Sequence, residues 1–190
     1  MHLLKVLAAG CALWLGFGAA GAIAQQESST PAGVLDRRQE IDQRADATLN
    51  KLFETQPAVR ALYDRAAGYA VFTATKAGFI VTGGGGTGVA VDKSDGRRTY
   101  MRMGTGGIGL GIGAQRYDLV ILFETDAHLN RFIQGGWDAS TTAQAAAGKD
   151  GVTVTSSFID GVAFYQLTDR GLMAQADVSG TRFWTIEELN

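Results

Sequence analysis

A short stretch of the chain alternates basic residues with other types in a way that could bind an anion. If Arg98-Thr99-Tyr100-Met101-Arg102 forms a β-strand, then Arg98, Tyr100 and Arg102 share one of its faces. Guanidinium groups donate paired hydrogen bonds to phosphate and carboxylate oxygens, so this face suits an anionic ligand. On an edge strand the same charges would only protect against aggregation. The sequence leaves both interpretations open.

Glycine alternates with aliphatic residues in Gly107-Ile108-Gly109-Leu110-Gly111-Ile112-Gly113. The alternation predicts a strand over 107–114, with one apolar face and one face of bare backbone. Glycine weakens a strand and often marks the close approach of another group. That group is either a helix or ring of the protein itself, or a bound acyl chain or headgroup.

Few residues could carry catalysis. Two G-x-G-x-x-G matches, beginning at Gly83 and Gly104, are each followed by a predicted strand, whereas a dinucleotide site needs a helix there. Beyond the first residues His128 is the single histidine, which excludes multi-histidine metal sites, and we expect it to be exposed on a helix. We therefore predict no catalytic residue, no metal ligand and no cofactor, and interpret the protein as a non-enzyme.

Residues 1–24 have the composition of a secretory signal peptide. Lys5 precedes an uncharged run, and Ala22-Ile23-Ala24 forms a small-x-small cleavage pattern before Gln25. A lipid-attachment sequence ending at Cys11 is the weaker interpretation, because the apolar run continues well beyond it. If retained, the run is long enough to anchor the chain in a bilayer. We expect cleavage and a periplasmic or secreted protein, with peripheral association with a membrane.

The remaining chain predicts a polar leader and one domain. Residues 25–33 are polar and turn-rich, which predicts disorder, and residues 34–190 are expected to form a single domain. The formal net charge of the chain is −2. An anionic partner must therefore meet a local basic patch, and no nucleic acid is expected as a partner.

Hydrophobic periodicity predicts the elements that would position these residues. Helical spacing predicts one helix over 34–54, a second beginning with Thr55 as its cap and ending at Gly68, and a third over 125–134. Strands are predicted over 69–73, 78–82, 88–91, 99–103, 107–114, 119–123, 152–155, 161–168 and 172–178. Trp184 is expected to cover an edge of the sheet. The order predicts an α+β fold, in which an N-terminal helical hairpin packs on a curved, largely antiparallel, glycine-rich sheet that could close into a barrel.

Four ordered motifs of this chain resemble those of the SYLF domain. They lie at 66–72 (AAGYAVF), 76–79 (KAGF), 109–120 (GLGIGAQ followed by DLV) and 171–174 (GLMA). The resemblance covers residues 35–190. It implies a lipid-binding module, because eukaryotic members bind phosphoinositides, fungal members bind actin filaments, and bacterial members are exported proteins for which lipid binding is proposed.

The resemblance also implies particular headgroup contacts. Lys76 lies in the KAGF motif and Arg116 directly follows the GAQ motif. To these the strand argument adds Arg98 and Arg102, and the turn Asp169-Arg170-Gly171, which is predicted to join the last two strands, adds Arg170. The chain departs from the family at 171–175, where GLMAQ replaces Gly-Leu-Phe-Ala-Gly, and its first helix begins with balanced charges instead of a basic segment.

Two functions follow as hypotheses. The first is an exported envelope protein that binds an anionic phospholipid or a phosphoinositide-like headgroup. The alternative is a non-catalytic envelope scaffold that binds another envelope protein. Actin is not expected as a partner in this setting.

Overall fold

The computed structural model describes residues 30–78, 81–108, 113–135, 157–168, 171–173 and 180–190. Its elements in chain order are α1 (Pro31–Thr55), α2 (Val59–Arg65), β1 (Gly68–Gly78), β2 (Val81–Asp92), β3 (Arg98–Ile108), β4 (Gly113–Phe123), α3 (Asp126–Ile133), β5 (Val162–Thr168), β6 (Gly171–Met173), β7 (Thr181–Thr185) and a 3-10 helix (Glu187–Leu189). None of the described helices is both long and apolar enough to cross a membrane.

The strands form one antiparallel sheet in the order β6-β5-β4-β1-β2-β3-β7. Helices and an antiparallel sheet in one domain confirm the predicted α+β class. Because β6 and β7 are the two edges, the described sheet is open and does not close into a barrel.

Each face of the sheet is covered by different helices. On one face α1 and α2 bury the core cluster that includes Leu52, Leu62 and Val120. On the other face α3 buries a second cluster, which includes Phe72, Phe123 and Phe132. Successive residues of a strand point to opposite faces, so every central strand contributes to both clusters. The sheet is therefore the middle layer of the molecule.

The first helix begins earlier than the sequence predicts. Thr30 caps α1 by accepting a hydrogen bond from the Gly33 amide at 3.2 Å, and Pro31 occupies the first turn, where its missing N–H does no harm. The last three residues of the predicted leader 25–33 thus belong to α1. Residues 1–29 lie outside the described part of the chain. The signal peptide and its cleavage after Ala24 therefore stay predictions.

The second helix is shorter than predicted and is capped differently. Thr55 is the last residue of α1, and its hydroxyl donates to the carbonyl oxygen of Lys51 at 2.8 Å. Gly68 opens β1 and does not end α2. A Cβ at Gly68 would lie 2.7 Å from the Val91 carbonyl oxygen, so this glycine permits close packing of β1.

Two strand predictions in the glycine-rich region are wrong. A single strand, β2, runs through 81–92, where two short strands at 78–82 and 88–91 were predicted. The described residues of the predicted strand 107–114 belong to two elements, because Ile108 ends β3 beside Val81 whereas Gly113 begins β4 beside Gly78. These two residues lie on opposite sides of the β1–β2 pair, and residues 109–112 are not among those described.

The remaining predictions divide between confirmed and missed elements. The third helix is confirmed, with Thr125 as its cap, and β5 confirms the predicted strand 161–168. The structure describes the strand predicted at 172–178 only as far as Met173, and the one at 152–155 lies outside the described residues. The five-residue strand β7 was not predicted.

Candidate functional site

The hairpin of α1 and α2 covers only part of its sheet face. Near the start of β1 the side chains of Tyr69 and Val71 are buried beneath the helices. Farther along the same face Thr75 and Ala77 are exposed. We call this exposed part the distal face, and it consists of Thr75, Ala77, Gly83, Gly85, Arg102, Gly106, Arg116, Arg182 and Trp184.

Strand register brings three arginines to the distal face. Directly paired residues of antiparallel strands share a face. One row across the sheet consists of Arg116, Thr75, Gly85, Gly104 and Arg182. Its ends are four strand spacings apart, roughly 19 Å at about 4.8 Å per strand. In the adjacent row Trp184 pairs with Arg102. The arginines therefore stand on both sides of a surface made of Thr75, Gly83, Gly85 and Gly106, which we call the floor of the distal face.

None of these arginines forms an ion pair with a described residue, although carboxylates lie near the site. Asp118 lies two residues from Arg116 on the same face of β4, roughly 7 Å away at about 3.4 Å per residue, and it accepts a hydrogen bond from the Thr73 hydroxyl at 2.7 Å. A groove of about 230 Å³ is lined by Arg102, Trp184, Thr185, Ile186, Glu187 and Glu188. Negative charge therefore lies at both ends of the basic set, from Glu187 and Glu188 near Arg102 and from Asp118 beside Arg116.

Trp184 lies on the sheet with much of its surface exposed. A Cβ built at Gly104 would be 3.0 Å from the ring atom Cη2, so a glycine there lets the indole lie close to the backbone. The side chain is nevertheless 46% exposed. Trp184 thus packs on a neighbouring strand near the sheet edge without being buried, and it presents an amphipathic ring beside Arg102.

Arg98 shares a face with Arg102 but has a structural contact. Its Nη1 lies 2.7 Å from Asp42 Oδ1 on α1, and the Tyr100 hydroxyl donates to Asp42 Oδ2 at 3.0 Å. Burial and this hydrogen bond raise the pKa of Tyr100 to about 12. The predicted common face of Arg98, Tyr100 and Arg102 is correct, but the first two fasten α1 to the sheet.

Lys76 does not point to the distal face. Lys76 pairs with Gln115, and it is Thr75 that pairs with Arg116, so Lys76 and Arg116 point to opposite faces. Lys76 is half-buried there. Arg170 lies outside the described residues. Of the five predicted contacts, the structure therefore brings together Arg102 and Arg116.

Sequence reasoning missed Arg182 and predicted no strand around Trp184. The segment Thr181–Thr185 alternates, with Thr181 and Phe183 buried and the residues between them exposed. The residue types hide this period of two, because Thr181 is polar yet buried and Trp184 is aromatic yet exposed. The remaining signal was the enrichment in threonine and aromatic residues, which favour strands.

The described residues contain no cluster of side chains able to hold a metal ion. His128 is half-buried and not exposed as expected: its Nδ1 lies 2.8 Å from Thr125 Oγ1, and its ring occupies the space where a Cβ of Gly161 would be. It is a packing residue of α3 on the side of the sheet away from the distal face.

Comparison with known proteins gives two matches. Residues 104–190 match the Ysc84 family model, described as "Las17-binding protein actin regulator". The chain is 37% identical over 163 residues to Beta cell expansion factor A of Aeromonas veronii, an alignment that covers 86% of this chain and 62% of that protein. The chain thus spans less than two thirds of this relative. These matches agree with the motifs at 66–72, 76–79, 109–120 and 171–174, and residues 104–190 form a domain of the SYLF (Ysc84) family.

Proposed function

We propose that this protein is exported and that its distal face binds the anionic headgroups of a membrane. The observation that carries the proposal is the set of exposed arginines Arg102, Arg116 and Arg182, which lack an ion pair with any described residue and stand beside the exposed Trp184. Guanidinium groups suit phosphate oxygens. Tryptophan is enriched where a protein meets the membrane interface.

The expected affinity is modest and depends on salt. Each Lys or Arg near an anionic surface contributes about 1 kcal/mol, so three give roughly 3 kcal/mol. This attraction falls off within a Debye length, about 8 Å at physiological ionic strength. Binding should therefore tighten strongly at low salt, and burial of part of the Trp184 ring adds a contribution that salt does not screen.

Two further features support export and a surface role. Residues 1–24 have the order of a signal peptide, which is a positive start, an apolar run and a small-residue cleavage site. The name of the relative from Aeromonas veronii, Beta cell expansion factor A, is consistent with export of that protein. The family description names actin regulation, but a bacterial envelope protein that binds lipid accounts for an exposed basic face without a cytoskeletal partner.

The test is co-sedimentation of the purified protein with neutral and with anionic phospholipid vesicles at low and high salt. We expect binding to anionic vesicles only, weakened by salt. Arg102→Gln, Arg116→Gln and Arg182→Gln should each lower the partition coefficient about fivefold, corresponding to about 1 kcal/mol. Arg131→Gln, an exposed arginine on α3 at the opposite face, is the matched control and should bind as the unmodified protein does.

Three outcomes would count against the proposal. Failure to bind any vesicle would remove the lipid function and favour the alternative of an envelope scaffold. Equal binding to neutral and anionic vesicles would remove the role of the arginines. An equal loss in Arg131→Gln and Arg116→Gln would show that overall charge, and not the distal face, determines binding.

A further inference from the structure

The glycines of β2 meet different surroundings on the two faces of the sheet. A Cβ at Gly86 would lie 2.7 Å from Ala74 Cα, and one at Gly88 would lie 2.5 Å from the Phe72 ring. On the distal face a Cβ at Gly83 or Gly106 would meet no heavy atom of the described residues within 4 Å. A Cβ at Gly85 would approach only the Met103 carbonyl oxygen, at 3.2 Å.

The described fold has no need of glycine at 83 and 106. Neither residue is among the described glycines with positive φ, which are Gly96, Gly135, Gly161 and Gly180. Both positions accept an L side chain without backbone strain and without collision with any described residue. A strand-interior glycine is nevertheless destabilising relative to residues with a side chain. The absence of side chains at this cross-strand pair is therefore a cost that packing of the described residues does not explain.

The surroundings of the pair indicate what could approach it. Arg116 on β4 stands on one side of this floor, and Arg102 on β3 with Arg182 on β7 stands on the other. Because β2 is paired with both β1 and β3, its backbone groups are committed to the sheet and offer few hydrogen bonds to a ligand. The floor offers a flat surface that an anionic ligand can approach closely, and the arginines supply positive charge complementary to that ligand.

We propose that the distal face lies flat against the membrane, with the headgroup layer in contact with the backbone at Gly83, Gly85 and Gly106. This inference rests on the proposed function. It adds that these glycines determine how closely the sheet approaches the headgroup layer. Bare backbone lets the arginines on both sides reach the same plane of phosphates, and it lets Trp184 enter the interface. A side chain at 83 or 106 would hold that plane away from the sheet.

The test uses Gly83→Thr, Gly106→Thr and the double variant, with Gln115→Thr as control. Gln115 is exposed at the same end of the sheet but on the opposite face. Partition onto anionic vesicles is measured at low and high salt, together with the urea midpoint of unfolding. We expect the glycine variants to keep or raise the midpoint, because threonine favours strands. The double variant should lose about tenfold in partition at both salt concentrations, which corresponds to about 1.4 kcal/mol, and Gln115→Thr should lose nothing.

The outcomes separate this inference from the proposed function. If the unmodified protein binds anionic vesicles and the folded double variant binds equally well, contact at the glycine floor is excluded while lipid binding stands. If the glycine variants unfold at lower urea, the glycines serve the fold and the inference is wrong. If the unmodified protein does not bind anionic vesicles, both proposals fail. Since the variants retain every charge, their loss should leave the salt dependence unchanged, whereas Arg116→Gln should reduce it.

Discussion

The carboxylate of Asp42 fastens α1 to β3 through both of its oxygens. Oδ1 pairs with the Arg98 guanidinium and Oδ2 accepts from the Tyr100 hydroxyl. Arg38, one turn earlier, lies 5.5 Å from the centre of the Tyr100 ring and donates through Nε to the Leu189 carbonyl oxygen at 2.9 Å. The same helix face thus holds β3 and the 3-10 helix that follows β7, which places Arg98 in the scaffold of the site and not in its surface.

Alkaline pH should destabilise the protein through Tyr100. Burial and the hydrogen bond to Asp42 raise the pKa of Tyr100 from 10.0 to about 12. Between these values the unfolded chain has lost the phenolic proton and the folded protein has kept it, so the free energy of unfolding falls as pH rises. Urea unfolding from pH 8 to pH 12 should show this fall.

Tyr100→Phe provides the comparison for this effect. The variant should show a shallower decline between pH 10 and pH 12. Part of the decline should remain, because burial also raises the pKa of Tyr69. An identical pH profile for the variant and the unmodified protein would show that Tyr100 does not contribute.

Within β2, alanine substitutions should have opposite effects on the two faces. Gly88→Ala places a Cβ against the Val71 carbonyl oxygen and the Phe72 ring, and such overpacking costs about 1–3 kcal/mol. Gly83→Ala meets no described atom and should stabilise the strand by about 0.5–1 kcal/mol. Urea unfolding monitored by circular dichroism measures both values. Equal destabilisation by the two substitutions would contradict the difference between the faces.

Elements with strong local signals could be predicted from the sequence, whereas those determined by pairing could not. Thr125 and the buried positions Leu129 and Phe132 define α3 by capping and periodicity. The glycine run of β2 locally resembles a turn, yet pairing with β1 and β3 on both sides holds it extended. The strand β7 has only five residues, which are too few to give a clear local signal in the sequence.

The candidate site was only partly predictable because faces depend on register. The strand pattern predicted Arg102 and the family resemblance predicted Arg116 as anion ligands, and the register places both on the distal face. The register of β1 against β4 places Lys76 opposite Gln115, one residue away from Arg116. A one-residue difference in register moves a side chain to the other face of a sheet. No motif in the sequence specifies that register.

Among the described residues, the sheet has one end covered by helices and one end that exposes three arginines. The helices α1, α2 and α3 pack over the end of the sheet that contains Gly68 and Phe123. The other end exposes the distal face. The formal net charge of −2 gives no indication of this division. Attraction to an anionic surface should therefore depend on where a charge lies and not on the net charge of the protein. A charge farther than about 8 Å from that surface is largely screened at physiological ionic strength.

Two substitutions with the same change in net charge test this division. Thr75→Lys adds a positive charge on the distal face beside Arg116, and Glu124→Gln removes a negative charge eight residues beyond Arg116 along the strand, roughly 27 Å away at about 3.4 Å per residue. Both raise the net charge by one. Thr75→Lys should strengthen partition onto anionic vesicles about fivefold, for about 1 kcal/mol, while Glu124→Gln should leave it unchanged at physiological salt. Equal strengthening by both would mean that the total charge directs the protein to the membrane, and the distal face would lose its special role.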